Sequence, residues 1–239
     1  MAKPLDTQLA STVDDYARLL TFAAHELRTP ASVVGGYLRM LQLENDADFA
    51  SRGRMLVDEA AKSCARLVEL LAQMSDIGKL DLNAAAAHIE QFDWFSDLPA
   101  LAETIQEGRD RGIELAVTGE GHGAMLTGDR QRLTAGLGAI LRAVLREQPM
   151  PVVVRADRRL VRANAQTTAV LIVARADDLE RTLAAAQQPF DERRGGTGLS
   201  LPLARRAIER AGGRLWSPAR TDTDLGLKSA VVIELPTSS

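Results

Sequence analysis

The most chemically pointed pattern in the chain is His25, Glu26 and Thr29, set within His25-Glu26-Leu27-Arg28-Thr29-Pro30. An imidazole with one ring nitrogen deprotonated is a nucleophile towards a phosphoryl group. The carboxylate next to it can hold the tautomer and accept the proton. A hydroxyl four residues on lies one helical turn away on the same face. There it can position water, which favours dephosphorylation. Pro30 lacks a backbone N–H and crowds the carbonyl of Glu26, so a helix through this stretch should kink just past His25. A histidine alone on a wet helix face would carry no such implication; the whole set does.

The flanking residues say what must present these groups. Val13, Leu20, Leu27, Val34 and Leu41 recur every seventh position, and Tyr16, Ala23, Pro30 and Tyr37 form a second row. The two rows give the 3–4 alternation of a helix in a bundle. His25 follows Leu20 by five residues and falls on the outward side, wet and free to titrate near neutral pH. Residues 1–8 read as a loose lead-in, and Ser11, Thr12 and Asp14 offer caps for a helix to about Leu43. Glu44 to Asp48 is a polar turn. A second helix is expected from about Ala50 to Ser75, with its seam at Val57, Ala60, Cys64, Leu67, Leu71 and Met74. Two such helices form an antiparallel hairpin. Their apolar stripes are too wide for a hairpin to cover, so a homodimeric four-helix bundle over residues 1–80 is expected. Residues 76–90 change composition, and 81–90 read as a linker.

Composition bounds the function. The chain has 239 residues, room for one large or two small domains. Aromatics are only 4% of it, which suits an alanine- and leucine-rich bundle. Net charge is −3, so there is no basic footprint for nucleic acid. The single cysteine, Cys64, excludes an internal disulfide and a cysteine-based zinc site, fits a reducing cytoplasm, and reads as a small core residue. No apolar run approaches the roughly 18 residues of a membrane span. Met1 to Thr7 lack the apolar core of a signal peptide. His88 and His122 read as surface residues.

From Gln91 onward helix and strand patterns mix. A helix is expected from the Phe92–Asp97 stretch to about Gly112, and another from Asp129 to Arg146. A third runs from Leu199 to Arg210, closed by Gly212-Gly213. Strands are expected at Ile113–Val117, Met125–Leu126, Pro151–Arg155, Thr168–Val173, Arg214–Ser217 and Ser229–Leu235, with residues 175–197 irregular. The fold class is thus α+β and multidomain: a helical hairpin, then an α/β sandwich over residues 91–239 with helices on one face of a mainly antiparallel sheet.

The box His25–Pro30 closely resembles the phosphoacceptor box of sensor histidine kinases. The order of elements in residues 91–239 resembles their ATP-binding domain, the Bergerat-type fold shared with gyrase. Gly195-Gly196-Thr197-Gly198-Leu199-Ser200-Leu201 looks like the second glycine box, with Ser200 where a third glycine usually stands. Such glycines let backbone amides approach phosphates at a helix start. Pro189-Phe190 resembles the phenylalanine element before the lid, and Ala211–Leu215 also fits. The resemblance therefore implies Gly196, Thr197, Gly198 and Leu199 as nucleotide-binding residues, with Arg146 and Asp177 as secondary candidates. Two other boxes depart from the family pattern. Asp129-Arg-Gln-Arg-Leu133 keeps the start of the asparagine box, but both asparagines are alanine, at Ala139 and Ala143. The second normally gives Mg²⁺ an oxygen, and alanine has none. The first glycine box reads Ala174-Arg-Ala-Asp177-Asp178-Leu179, without glycine. The lid after it looks short. ATP and Mg²⁺ are the cofactors the family implies; no metal ligand is assigned.

The resemblance implies a two-component protein passing phosphate between His25 and a response-regulator receiver. Glu26 would assist proton transfer and Thr29 would orient water. Two alternatives stand beside it: an ATP-dependent autophosphorylating kinase with a divergent site, and a dimeric scaffold with an inert His25.

Overall fold

The computed structural model describes residues 5–43, 49–81, 88–163, 166–196, 198–219, 227 and 229–238. It falls into two compact units, Met1–Gly78 and Lys79–Ser239.

The first unit consists of α1 (Leu5–Leu43) and most of α2 (Phe49–Asp81). The expected turn at residues 44–48 lies outside the described residues. Helix α1 starts at Leu5 instead of after a lead-in, because Leu5, Leu9 and Val13 extend its apolar spacing ahead of the expected caps. It continues through Pro30, which is buried. Helix α2 runs six residues past Ser75, where Ile77 and Leu80 prolong its apolar column.

The seam of α2 is shifted from the expected one. Leu56, Ala60 and Leu70 are buried and Leu67 and Met74 half-buried, while Val57, Cys64 and Leu71 are exposed. Two apolar columns share Ala60, Leu67 and Met74, and the sequence reading followed the outward one. Cys64 is therefore exposed in this chain, not a core residue. On α1, Ala23 and Pro30 are buried and Leu27, Val34, Tyr37 and Leu41 half-buried, as the two rows anticipate. Leu20, expected on the seam, is exposed.

In the second unit β1 (Ile89–Asp93) pairs antiparallel with β3 (Met125–Asp129). The other strands form a six-stranded sheet in the order β2 (Ile113–Gly119), β4 (Val152–Ala163), β5 (Gln166–Arg175), β8 (Val231–Pro236), β7 (Arg214–Pro218) and β6 (Gln187–Pro189). Among the described residues β2 and β4 run parallel and the other pairs are antiparallel. Helices α3 (Trp94–Thr104), α4 (Arg130–Arg146), α5 (Leu179–Ala184) and α6 (Ser200–Arg210) complete the unit. Helix α3 stops well before Gly112, because Ile105 turns extended and enters the core.

Strand β5 explains the layering. Ala169, Leu171 and Val173 face the core that also holds buried residues of α3, α4 and α6. Full burial of a leucine such as Leu171 contributes about 1.5–3 kcal/mol. The alternate residues Val170, Ile172 and Ala174 pack with Leu179 and Leu183 of α5, Trp216, Ala230 and Val232. Apolar residues on both faces make β5 a continuous apolar run. Helices therefore cover both faces of the sheet, not one. The stretch read as irregular, 175–197, contains α5 and β6. Helix α6 ends as expected: the Gly212 N–H donates to Glu209 O and the Gly213 N–H to Ile208 O, with Gly212 at φ 78°.

Candidate active site

His25 sits mid-helix on α1 with its side chain 72% exposed. Its Nδ1 is 3.8 Å from Glu26 Oε1, an approach that becomes an ion pair when the ring is protonated. Glu26 is half-buried, and Arg28 and Thr29 are exposed. The turn that buries Ala23 and Pro30 on one side leaves His25 and Thr29 on the other, as the row spacing requires. An imidazole held this way can be approached by a bulky phosphorylated partner.

The second cluster is built on α4. Asp129 caps the helix, its side chain accepting from the Arg132 N–H at 3.1 Å. Arg130 donates to both Asp97 oxygens at 2.7 and 2.6 Å, tying α4 to α3. That hydrogen bonding holds the Arg130 guanidinium above its usual pKa. With its start fixed, α4 turns Ala139 and Ala143 inward, 4% and 1% exposed. Against Ala143 lies Gly195, in a left-handed conformation at φ 67°. A Cβ on Gly195 would stand 2.6 Å from Ala143 Cα and 2.7 Å from its Cβ. Even a methyl on Gly195 would force these two segments apart.

Charged residues fasten this contact. Arg146 Nη1 is 3.4 Å from the carbonyl oxygens of both Gly195 and Gly196, and Nη2 is 3.3 Å from Glu107. Arg194 is buried, and its Nε and Nη2 donate to Glu147 Oε2 at 3.0 and 2.5 Å. Its Nη1 lies 3.4 Å from Ala230 O, and its guanidinium stacks 5.6 Å from the Phe190 ring. Beside them Gln148 is buried. It donates to Ser229 Oγ at 2.6 Å and accepts from Arg175 Nε at 3.1 Å.

Of the residues the family resemblance singled out, Gly196 and Gly198 have positive φ and Leu199 is buried just before α6. Thr197 lies outside the described residues. Arg146 joins the glycine segment, but through its carbonyls. Asp177 is exposed in the turn after β5, and its neighbour Asp178 is buried against Arg181 at 2.6 Å. Sequence reasoning missed Glu147, Gln148, Arg175, Arg194 and Ser229. Their partners lie 27 to 81 positions apart, a separation no local pattern reveals. Among the described residues no group of three or more His, Cys, Asp or Glu side chains could hold a metal. No described helix is long and apolar enough to cross a membrane.

A helical hairpin presenting an exposed histidine, followed by an α/β sandwich, is the two-part fold of sensor histidine kinases. Residues 16–83 match the family model of the His Kinase A (phospho-acceptor) domain. The chain is similar to the Acinetobacter baumannii histidine kinase AdeS, at 16% identity and TM-score 0.62, over 90% of this chain and 98% of that one. It is similar to the histidine kinase ThkA, seen in complex with the response regulator TrrA, at 15% identity and TM-score 0.53, over 98% of this chain. It is also similar to ShkA, seen in complex with AMPPNP, at 20% identity and TM-score 0.56, over 93% of this chain. It spans 64% of the ThkA chain and 46% of the ShkA chain. No curated protein matches it.

Proposed function

We propose that this chain is a two-component signalling protein in which His25 exchanges a phosphoryl group with a receiver aspartate, and that its ATP site is impaired. The observation that carries the reading is a contrast. His25 is open to solvent beside Glu26, while Ala143 is sealed under Gly195. In the exchange a ring nitrogen of His25 attacks the phosphorus of the aspartyl phosphate. A P–N bond forms, the P–O bond to the aspartate breaks, and the aspartate leaves as carboxylate. Glu26 accepts the imidazole proton. Thr29 orients water for hydrolysis of the phosphohistidine.

The residues around the glycine segment do not fit Mg²⁺-nucleotide. Ala139 and Ala143 offer no oxygen, and the space beside Ala143 is filled. Phosphoryl transfer from ATP rests on metal positioning and charge neutralisation. The complex of ThkA with a response regulator supports a receiver as partner. Val57 and Leu71, exposed on α2, support a homodimer of the bundle. A cytoplasmic place belongs to the same proposal and is supported by the single cysteine, Cys64.

The test is incubation with Mg²⁺ and γ-labelled ATP, then with a labelled phospho-receiver, beside a His25→Gln control. Label arriving from the receiver alone, and lost with His25→Gln, is the expected result. Acid-labile label from ATP on His25 would make the chain an autophosphorylating kinase, the reading favoured by the surviving positive-φ glycines. No label from either source would leave a dimeric scaffold.

A further inference from the structure

We infer that the segment from Phe190 to Gly196 is a built-in brace: it packs against the end of α4, where the family resemblance places a nucleotide, and is locked there by the Glu147–Arg194 pair. The inference deepens the impaired-site reading above and rests on it, because it states what took the nucleotide's place and what holds it.

Three contacts make the brace. The first is steric: Gly195 lies so close to Ala143 that a Cβ added to Gly195 would stand 2.6 Å from Ala143 Cα. The second is electrostatic. The Arg194 side chain is only 5% exposed and its charge is met by Glu147. Removing one partner of such a pair leaves a buried charge uncompensated, so the lock holds or fails as a unit. The third is the turn of the loop's own polarity. Arg146 binds the carbonyls of Gly195 and Gly196, so these two oxygens point at a cation on α4. A polyphosphate would need amide N–H groups there instead.

Beneath the lock Gln148 is fully engaged, while Arg175 Nη2 is buried without a partner among the described residues. Gln148 is shared by Arg175 and Ser229, and its side-chain nitrogen also donates to Val144 O at 3.1 Å. On the far side, Phe190 carries the Arg194 guanidinium on its ring. The segment thus ties the last turn of α4 to the start of β8 and to β7, through Ala230 O and Ser217 Oγ, each 3.4 Å from Arg194 Nη1.

The experiment uses the full chain. Melting is followed with and without Mg²⁺-AMPPNP, and trypsin cleavage after Arg193 and Arg194 is read by mass spectrometry. The wild type is expected to melt within about 1 °C with or without nucleotide, where a ligand at 100 times its Kd would raise Tm by roughly 5 °C or more. Glu147→Gln is expected to speed cleavage at these two arginines about tenfold or more, as the segment opens. Should that variant fail to fold, Gly195→Ala reads the same contact and is expected to speed cleavage likewise. A nucleotide-dependent rise in Tm of several degrees, or protection of the segment by nucleotide, overturns the brace. So does unchanged cleavage in Gly195→Ala. Transfer from a labelled phospho-receiver is measured on the same samples. If transfer is absent while melting and cleavage behave as expected, the brace stands and the proposed function falls; if nucleotide stabilises the wild type while transfer persists, the brace and the impaired site fall together and the phosphoryl exchange through His25 stands.

Discussion

The bundle and the cleft treat their chemistry-bearing positions in opposite ways. On α1 the reactive type, His25, is kept at the surface with a carboxylate and a hydroxyl near it. On α4 the positions that would carry polar ligands are alanines, and they are buried. Both regions keep their backbone scaffold: the heptad rows of α1, and the Asp129 cap and apolar face of α4. A fold can thus outlast the site it positions, because burial of apolar faces holds the elements while a handful of polar groups perform the chemistry. On the proposed reading, function lies with α1 and the contact on α4 is structural.

The sharpest way to break it is His25→Gln. Transfer from a phospho-receiver should fall by on the order of 1,000-fold or more, since the amide offers no comparable nucleophile. Melting temperature and mass in solution should not change, because the side chain is 72% exposed. Retained transfer would move the reactive residue elsewhere and end the assignment of the bundle.

Next in size is Leu71→Glu. Leu71 is 56% exposed on the outward column of α2 with Val57 and Cys64. If that column is the dimer seam, two glutamates meet in an apolar layer and self-association should weaken by on the order of 100-fold. Light scattering across concentration reads this. An unchanged dimer would place the seam on another face.

Ala143→Asn tests the cleft from the other direction. It restores the residue type that the family uses for metal binding. In a cleft closed by Gly195 it should cost about 2–4 kcal/mol, from overpacking and an unpaired amide. It should bring no response to Mg²⁺-nucleotide. A neutral variant that gains nucleotide binding would show an open cleft and reduce the difference between the two regions to one residue.

What was legible in the sequence follows the same divide. His25 and its exposure could be read because helical periodicity is local: five residues past Leu20 determines a face. The cap at Asp129 and the stop at Gly212 could be read for the same reason. The start of α1, the end of α2 and helix α5 were misread because caps and polar composition were weighed above apolar spacing. Of the two apolar columns of α2 the periodicity picked the outward one, which a single chain leaves exposed and a partner copy would cover. The Glu147–Arg194 lock was illegible, since its partners are 47 residues apart and meet only when α4 and the glycine segment are both folded.

The smallest effect separates the regions by a single residue type. Gly35 and Gly36 lie inside α1, and a Cβ at either would meet nothing within 4 Å. Neither has a positive φ, so alanine fits the backbone unchanged. Each Gly→Ala change there should stabilise the bundle by about 0.5–1 kcal/mol, through lost backbone freedom in the unfolded chain. In the cleft the same change at Gly195 meets backbone at 2.6 Å and a left-handed φ, and should loosen the segment. Urea unfolding of the three variants, followed by helical signal, sets them side by side. Stabilisation at 35 and 36 with loosening at 195 is what a spacious bundle face and a filled cleft require. If Gly195→Ala were as benign as the other two, the cleft would have room to give, and the contrast would fail at its tightest contact.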